Sequence, residues 1–221
     1  PRLLDLLDGF EYKFTAGVTL ESDIAIYAEN GVTLTTTGQW AIAGNVGTVH
    51  FQGVDFISEG SNTYLFNSSS ANSLEKLSFI DCTFDNYSRA IFRNQSGAGT
   101  QAVREIVIDG CIFKNGQADY FVLHNSNDNV MEKVSVRNST FFNLTKALIR
   151  AEKQTTAAQV DVENCTFALV GNDHLVRLTL SPANVRFSNC IFSKSQGTVR
   201  MVLVSSGNVT SPDCYATADW I

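Results

Sequence analysis

The stretch Leu77-Ser78-Phe79-Ile80-Asp81-Cys82-Thr83-Phe84 decides the fold, because its pattern occurs six times along the chain. The copies begin at Val49, Leu77, Ile106, Val134, Val160 and Val185, spaced 25–29 residues apart. The first and third residues of each copy are apolar, the period-2 signature of a strand with one buried face. The fifth is Gly53, Asp81, Gly110, Asn138, Asn164 or Asn189. These residue types tolerate positive φ, so a sharp corner is expected there. The sixth and eighth positions begin a second short strand, and the eighth is Phe in all six copies: Phe56, Phe84, Phe113, Phe141, Phe167 and Phe192. A third apolar segment follows, as in Tyr64-Leu65-Phe66, Ala90-Ile91-Phe92, Phe121-Val122-Leu123 and Ala147-Leu148-Ile149.

Three short strands per repeat describe one rung of a parallel β-helix. A single rung cannot bury its apolar face. Rungs stacked about 4.8 Å apart bury it jointly, and equivalent residues then form columns. A β-propeller blade needs about 40–50 residues, too many for this period. A leucine-rich repeat has a suitable period, but its leucine framework is missing. The expected fold is therefore all-β, one domain over residues 1–221, with about seven or eight rungs.

Within that domain, residues 1–16 are expected to form an N-terminal cap. Leu3, Leu4, Leu6 and Leu7 suit a short amphipathic helix closing the core. Residues 17–48 read as irregular first rungs and 49–209 as regular repeats. The tail 210–221 is expected to leave the repeat. The chain opens on Pro1 with no signal-peptide pattern, and reads as a piece of a longer protein.

Composition supports a folded chain and excludes several classes. Of its 221 residues, 44% are hydrophobic and 17% charged, too apolar for disorder. The net charge of −6 excludes a globally basic nucleic-acid-binding surface. No uninterrupted apolar run reaches the roughly 18–20 residues of a membrane span. Cys82, Cys111, Cys165 and Cys190 share one repeat position, where Val54 and Ser139 fill the gaps. Parallel stacking holds such side chains farther apart than a disulfide prefers, so free buried thiols are expected. Cys214 reads as off this column. Asn86, Asn115 and Asn143, with Asn138, Asn164 and Asn189 at the corner, are expected to form amide ladders.

The strand, Asn-corner, strand pattern resembles the pectate lyase-like right-handed parallel β-helix superfamily. The Cys/Asn-Thr-Phe signature and the tail Asp213-Cys214-Tyr215-Ala216-Thr217-Ala218-Asp219-Trp220 are similar to uncharacterised Bacteroidetes β-helix domains of unknown function. The resemblance, with the crossover rule, implies a right-handed coil. It also implies secretion or a cell-surface location, and a substrate groove along one outer strand face.

Alternation along the third segment predicts that face. With Phe66, Phe92, Leu123, Ile149 and Val176 inward, the outward row is Asn67, Arg93, His124, Arg150 and Arg177, with Arg200 as an extension. Asn94 and Asn125 flank it. A stacked cationic row on an acidic chain suits an anionic ligand, and Arg suits bidentate recognition of carboxylate or sulfate groups. An acidic polysaccharide is the expected partner. The competing reading pairs the row with Glu105, Glu132 or Glu152, or makes it a device against edge pairing.

The enzymatic version is polysaccharide lyase chemistry by β-elimination. It needs a cation at the uronate carboxylate, a base for the proton and an acid for the leaving oxygen. His124, its pKa lowered by Arg93 and Arg150, is the candidate base. Arg150 is the candidate cation and Tyr120 the candidate acid, while alternation turns Tyr64 inward. The lyase resemblance also implies a calcium site, but Asn94, Asn125 and Glu152 lie near the row without clustered Asp pairs, so no cofactor is expected. Asp81 and Asp109 read as corner and solvent-face residues, without the paired geometry of a glycoside hydrolase. The non-catalytic alternatives are a glycan-binding or adhesive surface module and a structural spacer.

Overall fold

The computed structural model describes residues 2–59, 64–68, 72–94, 101–116, 122–124, 129–146, 148–151, 158–171, 174–197, 199–218 and 220. They form a parallel β-solenoid of about seven turns, and every strand pair is parallel. Each turn contributes to three faces. The first face carries strands such as Asn72–Ile80, Gln101–Asp109 and Lys133–Arg137. The second carries Thr83–Asp85, Ile112–Lys114 and Thr140–Leu144. The third carries Phe66–Ser68, Phe92–Asn94, Val122–His124 and Ile149–Ala151. Long strands such as Gly44–Ser58 and His174–Ser188 run through two faces.

The corner between the first and second faces has the backbone the sequence requires. Gly53, Asp81, Gly110, Asn138, Asn164 and Asn189 all have φ between 50 and 69°. Asp213 repeats this corner with φ 55°, one turn further on. The regular repeat therefore continues past residue 209. Val209 pairs with Val185, and Tyr215–Ala216 pairs with Ile191–Phe192.

This continuation corrects the placing of Cys214. Cys214 Sγ lies 3.4 Å from the carbonyl two residues back, at Pro212. Cys82, Cys111, Cys165 and Cys190 make the same contact at 3.2–3.4 Å. Cys214 Sγ also accepts from Cys190 N at 3.4 Å, as the next member of the column. All five thiols are free. Sequence alone hid this turn because small or polar residues, Ser211 and Ala216, replace the aromatic ones of the repeat.

The N-terminal cap is also different from expectation. Arg2–Leu6 is a strand, paired in parallel with Ile24–Ala28. No helix occurs among the described residues, and none is therefore long and apolar enough to cross a membrane. The leucine spacing fits either period, since Leu4 and Leu6 also alternate as strand residues. The ready-made edge of the next turn settles it in favour of a strand.

The core is built of the expected columns. Along the second face the rings of Phe56, Phe84, Phe113, Phe141, Phe167 and Phe192 stack with centroids 4.7–5.2 Å apart and interplanar angles of 2–9°. Phe51 and Phe79 meet this stack edge-on from the first face. The amide ladders are present as well. Asn189 Nδ2 donates to Asn164 Oδ1 at 2.7 Å, and Asn164 Nδ2 donates to Asn138 Oδ1 at 3.3 Å. Asn138 Nδ2 donates to Asp109 Oδ1 at 2.8 Å, which places that carboxylate in the corner ladder. At the far end of the second face Asn143 Nδ2 donates to Asn115 Oδ1 at 2.8 Å.

Candidate functional site

The third face positions the arginine row. Its strands are short because each follows a turn and contributes few residues before the chain bends again. Arg93 lies beside Asn67, and Arg150 lies directly beside Arg177. These four residues share one column and are half-buried.

His124 does not belong to that column. Phe92 pairs with Val122, so the residue beside Arg93 is Leu123. Leu123 also pairs with Arg150, and His124 pairs with Asn94 and Ala151. The expected register was wrong by one residue at this turn. Phe121-Val122-Leu123 is apolar at three consecutive positions, so alternation could not choose its phase. Arg200 is displaced too. It pairs with His174, while Arg177 pairs with Leu203. The column thus reads Asn67, Arg93, Leu123, Arg150, Arg177, Leu203. Tyr120 and Asn125 lie outside the described residues, as do the side chains of Asn94, His124 and Arg200.

Two supporting side chains were not anticipated. Tyr64 is buried, but in a small cluster with Ala90 apart from the main core. The Arg93 guanidinium stands over its ring, 4.4 Å from the centroid, and that of Arg89 lies 5.7 Å away. A cation over a Tyr face is attracted by the ring quadrupole and held in a defined direction. Gln39, one turn before Asn67, accepts a hydrogen bond from Asn67 Nδ2 at 2.9 Å. That leaves Asn67 Oδ1 and Arg93 Nε as buried atoms without a hydrogen-bond partner among the described residues. The signal for Tyr64 was present in the sequence, three residues before Asn67, but alternation assigned it to the core.

Of the acids considered as partners for the row, Glu105 and Glu132 are engaged elsewhere, and Glu152 lies outside the described residues. Glu105 lies between Lys76 and Lys133, at 3.5 and 3.6 Å. Glu132 pairs with Arg104, which also meets Glu75 at 3.2 Å. The hydrogen bond that Arg104 donates to Glu132, then that to Glu75, raises its pKa. Elsewhere too, opposite charges alternate in register. Lys76, Glu105 and Lys133 are consecutive on the first face, as are Arg137 and Glu163. On the second face Lys114 sits beside Asp85, 3.3 Å apart. The third face departs from this rule, with Arg150 and Arg177 as immediate like-charged neighbours. Like charges in that relation destabilise a sheet by about 0.2–1 kcal/mol.

Among the described residues, no three His, Cys, Asp or Glu side chains converge as a metal site would require. No family model matches the chain, and no curated protein matches it.

Proposed function

We propose that this chain binds an acidic polysaccharide along the third face, as a secreted or cell-surface glycan-binding module. One observation carries the reading: in-register charges alternate in sign on the first and second faces, but Arg150 and Arg177 repeat the same sign on the third. An extended polyanion running along the solenoid axis would meet Arg93 and, past Leu123, Arg150 and Arg177 on two consecutive turns. Arg can hold carboxylate or sulfate groups bidentately. Resemblance to the pectate lyase-like right-handed β-helices points to the same class of ligand.

Non-catalytic binding is favoured over the lyase version by Leu123, which occupies the column position that a base between Arg93 and Arg150 would need. The test is binding to a panel of uronate, sulfated and neutral polysaccharides at two salt concentrations, alongside ultraviolet detection of unsaturated products. Uronate or sulfated polymers should bind, and binding should weaken with salt. Arg93→Ala plus Arg150→Ala should lower affinity at least about tenfold, equivalent to roughly 1.4 kcal/mol. Equal affinity of the double variant for the polyanion would remove this face from the function. Release of unsaturated products, lost in His124→Ala with binding retained, would restore the lyase reading.

A further inference from the structure

The second face carries an uncharged strip along its outside. Its outward positions at successive turns are Ile112, then Thr140 and Phe142, Thr166 and Ala168, and Ile191 and Ser193, alternating with the buried phenylalanine stack. None of these residues is charged. On the first face the corresponding turns present Glu105 and Asp109, Lys133 and Arg137, Asp161 and Glu163, and Arg186. Ile112 and Phe142 are each 44% exposed and Ile191 48%. This exposure does not arise at a chain end. Ile112 lies between Thr83 and Thr140, Phe142 between Lys114 and Ala168, and Ile191 between Thr166 and Tyr215. β-Branched residues suit any strand exterior. Strand formation does not require an outward Phe on a strip without charge, and contiguous apolar surface of this kind marks interaction sites.

Amide side chains border the strip on both sides. Toward the first face stand Asn138, Asn164 and Asn189, all exposed and bonded in series. On the other side Asn143 Nδ2 donates to Asn115 Oδ1, and Gln196 Nε2 donates to Asn143 Oδ1, both at 2.8 Å. Asn115, Asn143 and Gln196 line a concavity together with Gly116 and Thr145. An amide carries two N–H donors and two lone pairs on its oxygen. A ladder bond uses one of each, so an amide in the middle of a row keeps a donor and an acceptor for a ligand. Lys114 and Lys194 stand at the margin of the strip, the former paired with Asp85 at 3.3 Å.

We infer that this strip binds an extended, uncharged polysaccharide lying along the solenoid axis, with its sugar rings on Ile112, Phe142 and Ile191 and its hydroxyls on the amide rows. A pyranose ring presents C–H groups on its faces and hydroxyls around its edge. It buries the apolar centre of the strip, meets donors and acceptors along both borders, and desolvates no charge. Four turns span about 14 Å, enough for a few sugars of an extended chain. The inference concerns a different face and a different ligand class from the arginine column, and does not rest on the reading of that column.

Titration calorimetry of the full chain with uncharged β-glucan, mannan and chitin oligosaccharides, at low and high salt, tests this. At least one should bind, with an affinity that salt leaves unchanged. Phe142→Ala should weaken that binding at least about tenfold, as loss of a central aromatic contact does, and leave polyuronate binding as in wild type. Arg93→Ala plus Arg150→Ala should leave binding of the uncharged polymer intact. Circular dichroism checks that each variant keeps its β-structure. Should Phe142→Ala fail to fold, Ile112→Lys, at another exposed site, puts a charge under the sugar and should abolish the same binding. Absence of binding to all three polymers overturns the inference, as does equal affinity in the variant that folds. Binding lost with Arg93 and Arg150 would move the uncharged ligand to the third face and overturn it too. Self-association of the wild-type chain in sedimentation velocity, lost in Phe142→Ala, would give the strip to a second copy instead. If an uncharged polymer binds through Phe142 while polyanions do not bind at all, the reading of the arginine column falls and this one stands.

Discussion

At the corner after the first face, one residue per turn must enter the left-handed region, and each solution has a cost. Gly53 does so with φ 69°, and a Cβ there would lie 2.0 Å from the Ala28 carbonyl oxygen. Gly53→Ala should destabilise the protein by more than about 2 kcal/mol, combining left-handed strain with a backbone clash. A urea midpoint equal to wild type would disprove the close approach. Asn and Asp tolerate the same conformation elsewhere, and the corner Asn side chains bond from turn to turn. The second corner shows where that chemistry is missing. Asn86, Asn115 and Asn143 have φ of 53–56°, and the column then continues through Leu169 at 54° and Lys194 at 45°. Leu has no polar side chain to bond the backbone there. Leu169→Asn should therefore stabilise the fold by about 1 kcal/mol, the scale of the left-handed penalty for an ordinary residue. Thermal melts of the pair of variants would shift in opposite directions.

Each short strand is held by the column it enters, which explains what could and could not be read from sequence. Phe141 makes stacked contacts to Phe113 at 4.7 Å and to Phe167 at 4.8 Å and is fully buried. Phe141→Ala opens a gap that rungs tied by backbone bonds on both sides cannot close. A loss of about 3–5 kcal/mol is expected from denaturant unfolding. A loss below about 1 kcal/mol would mean that the rungs collapse around the gap. The first and second faces were legible because their strands alternate and carry a fixed Phe and a fixed corner residue. The third face was less so. Its strands are three residues long, and Phe121-Val122-Leu123 offers two phases with equal burial. Pairing to Phe92 and Ile149 selects the one that excludes His124 from the arginine column. Arg93, Arg150 and Arg177 stayed in one column because Phe92, Ile149 and Val176 precede them unambiguously. The N-terminal strand was misread for a related reason, since four leucines among the first seven residues suit two periods. The Cys214 turn was missed because its core positions are filled by small residues.

The whole molecule is a one-dimensional stack, and its stability should vary along the axis. Contacts are almost entirely between adjacent turns, so each turn gains from its neighbours and little from anything farther away. Internal strands such as Gln101–Asp109 pair on both edges, with Asn72–Ile80 before and Lys133–Arg137 after. Terminal strands pair on one edge, and their core columns are exposed at Leu4 and Val209. An end turn can open by breaking one set of ladder bonds, while a middle turn must break two and expose a stacked phenylalanine. Amide hydrogen exchange at dilute concentration should therefore rank the strands by position. Arg2–Leu6 and Tyr215–Ala216 should exchange fastest, and Ile106–Ile108 and Val134–Val136 slowest, approaching the global unfolding limit. Uniform protection along the axis would mean that the solenoid opens as a single cooperative unit, and that the exposed ends cost it little.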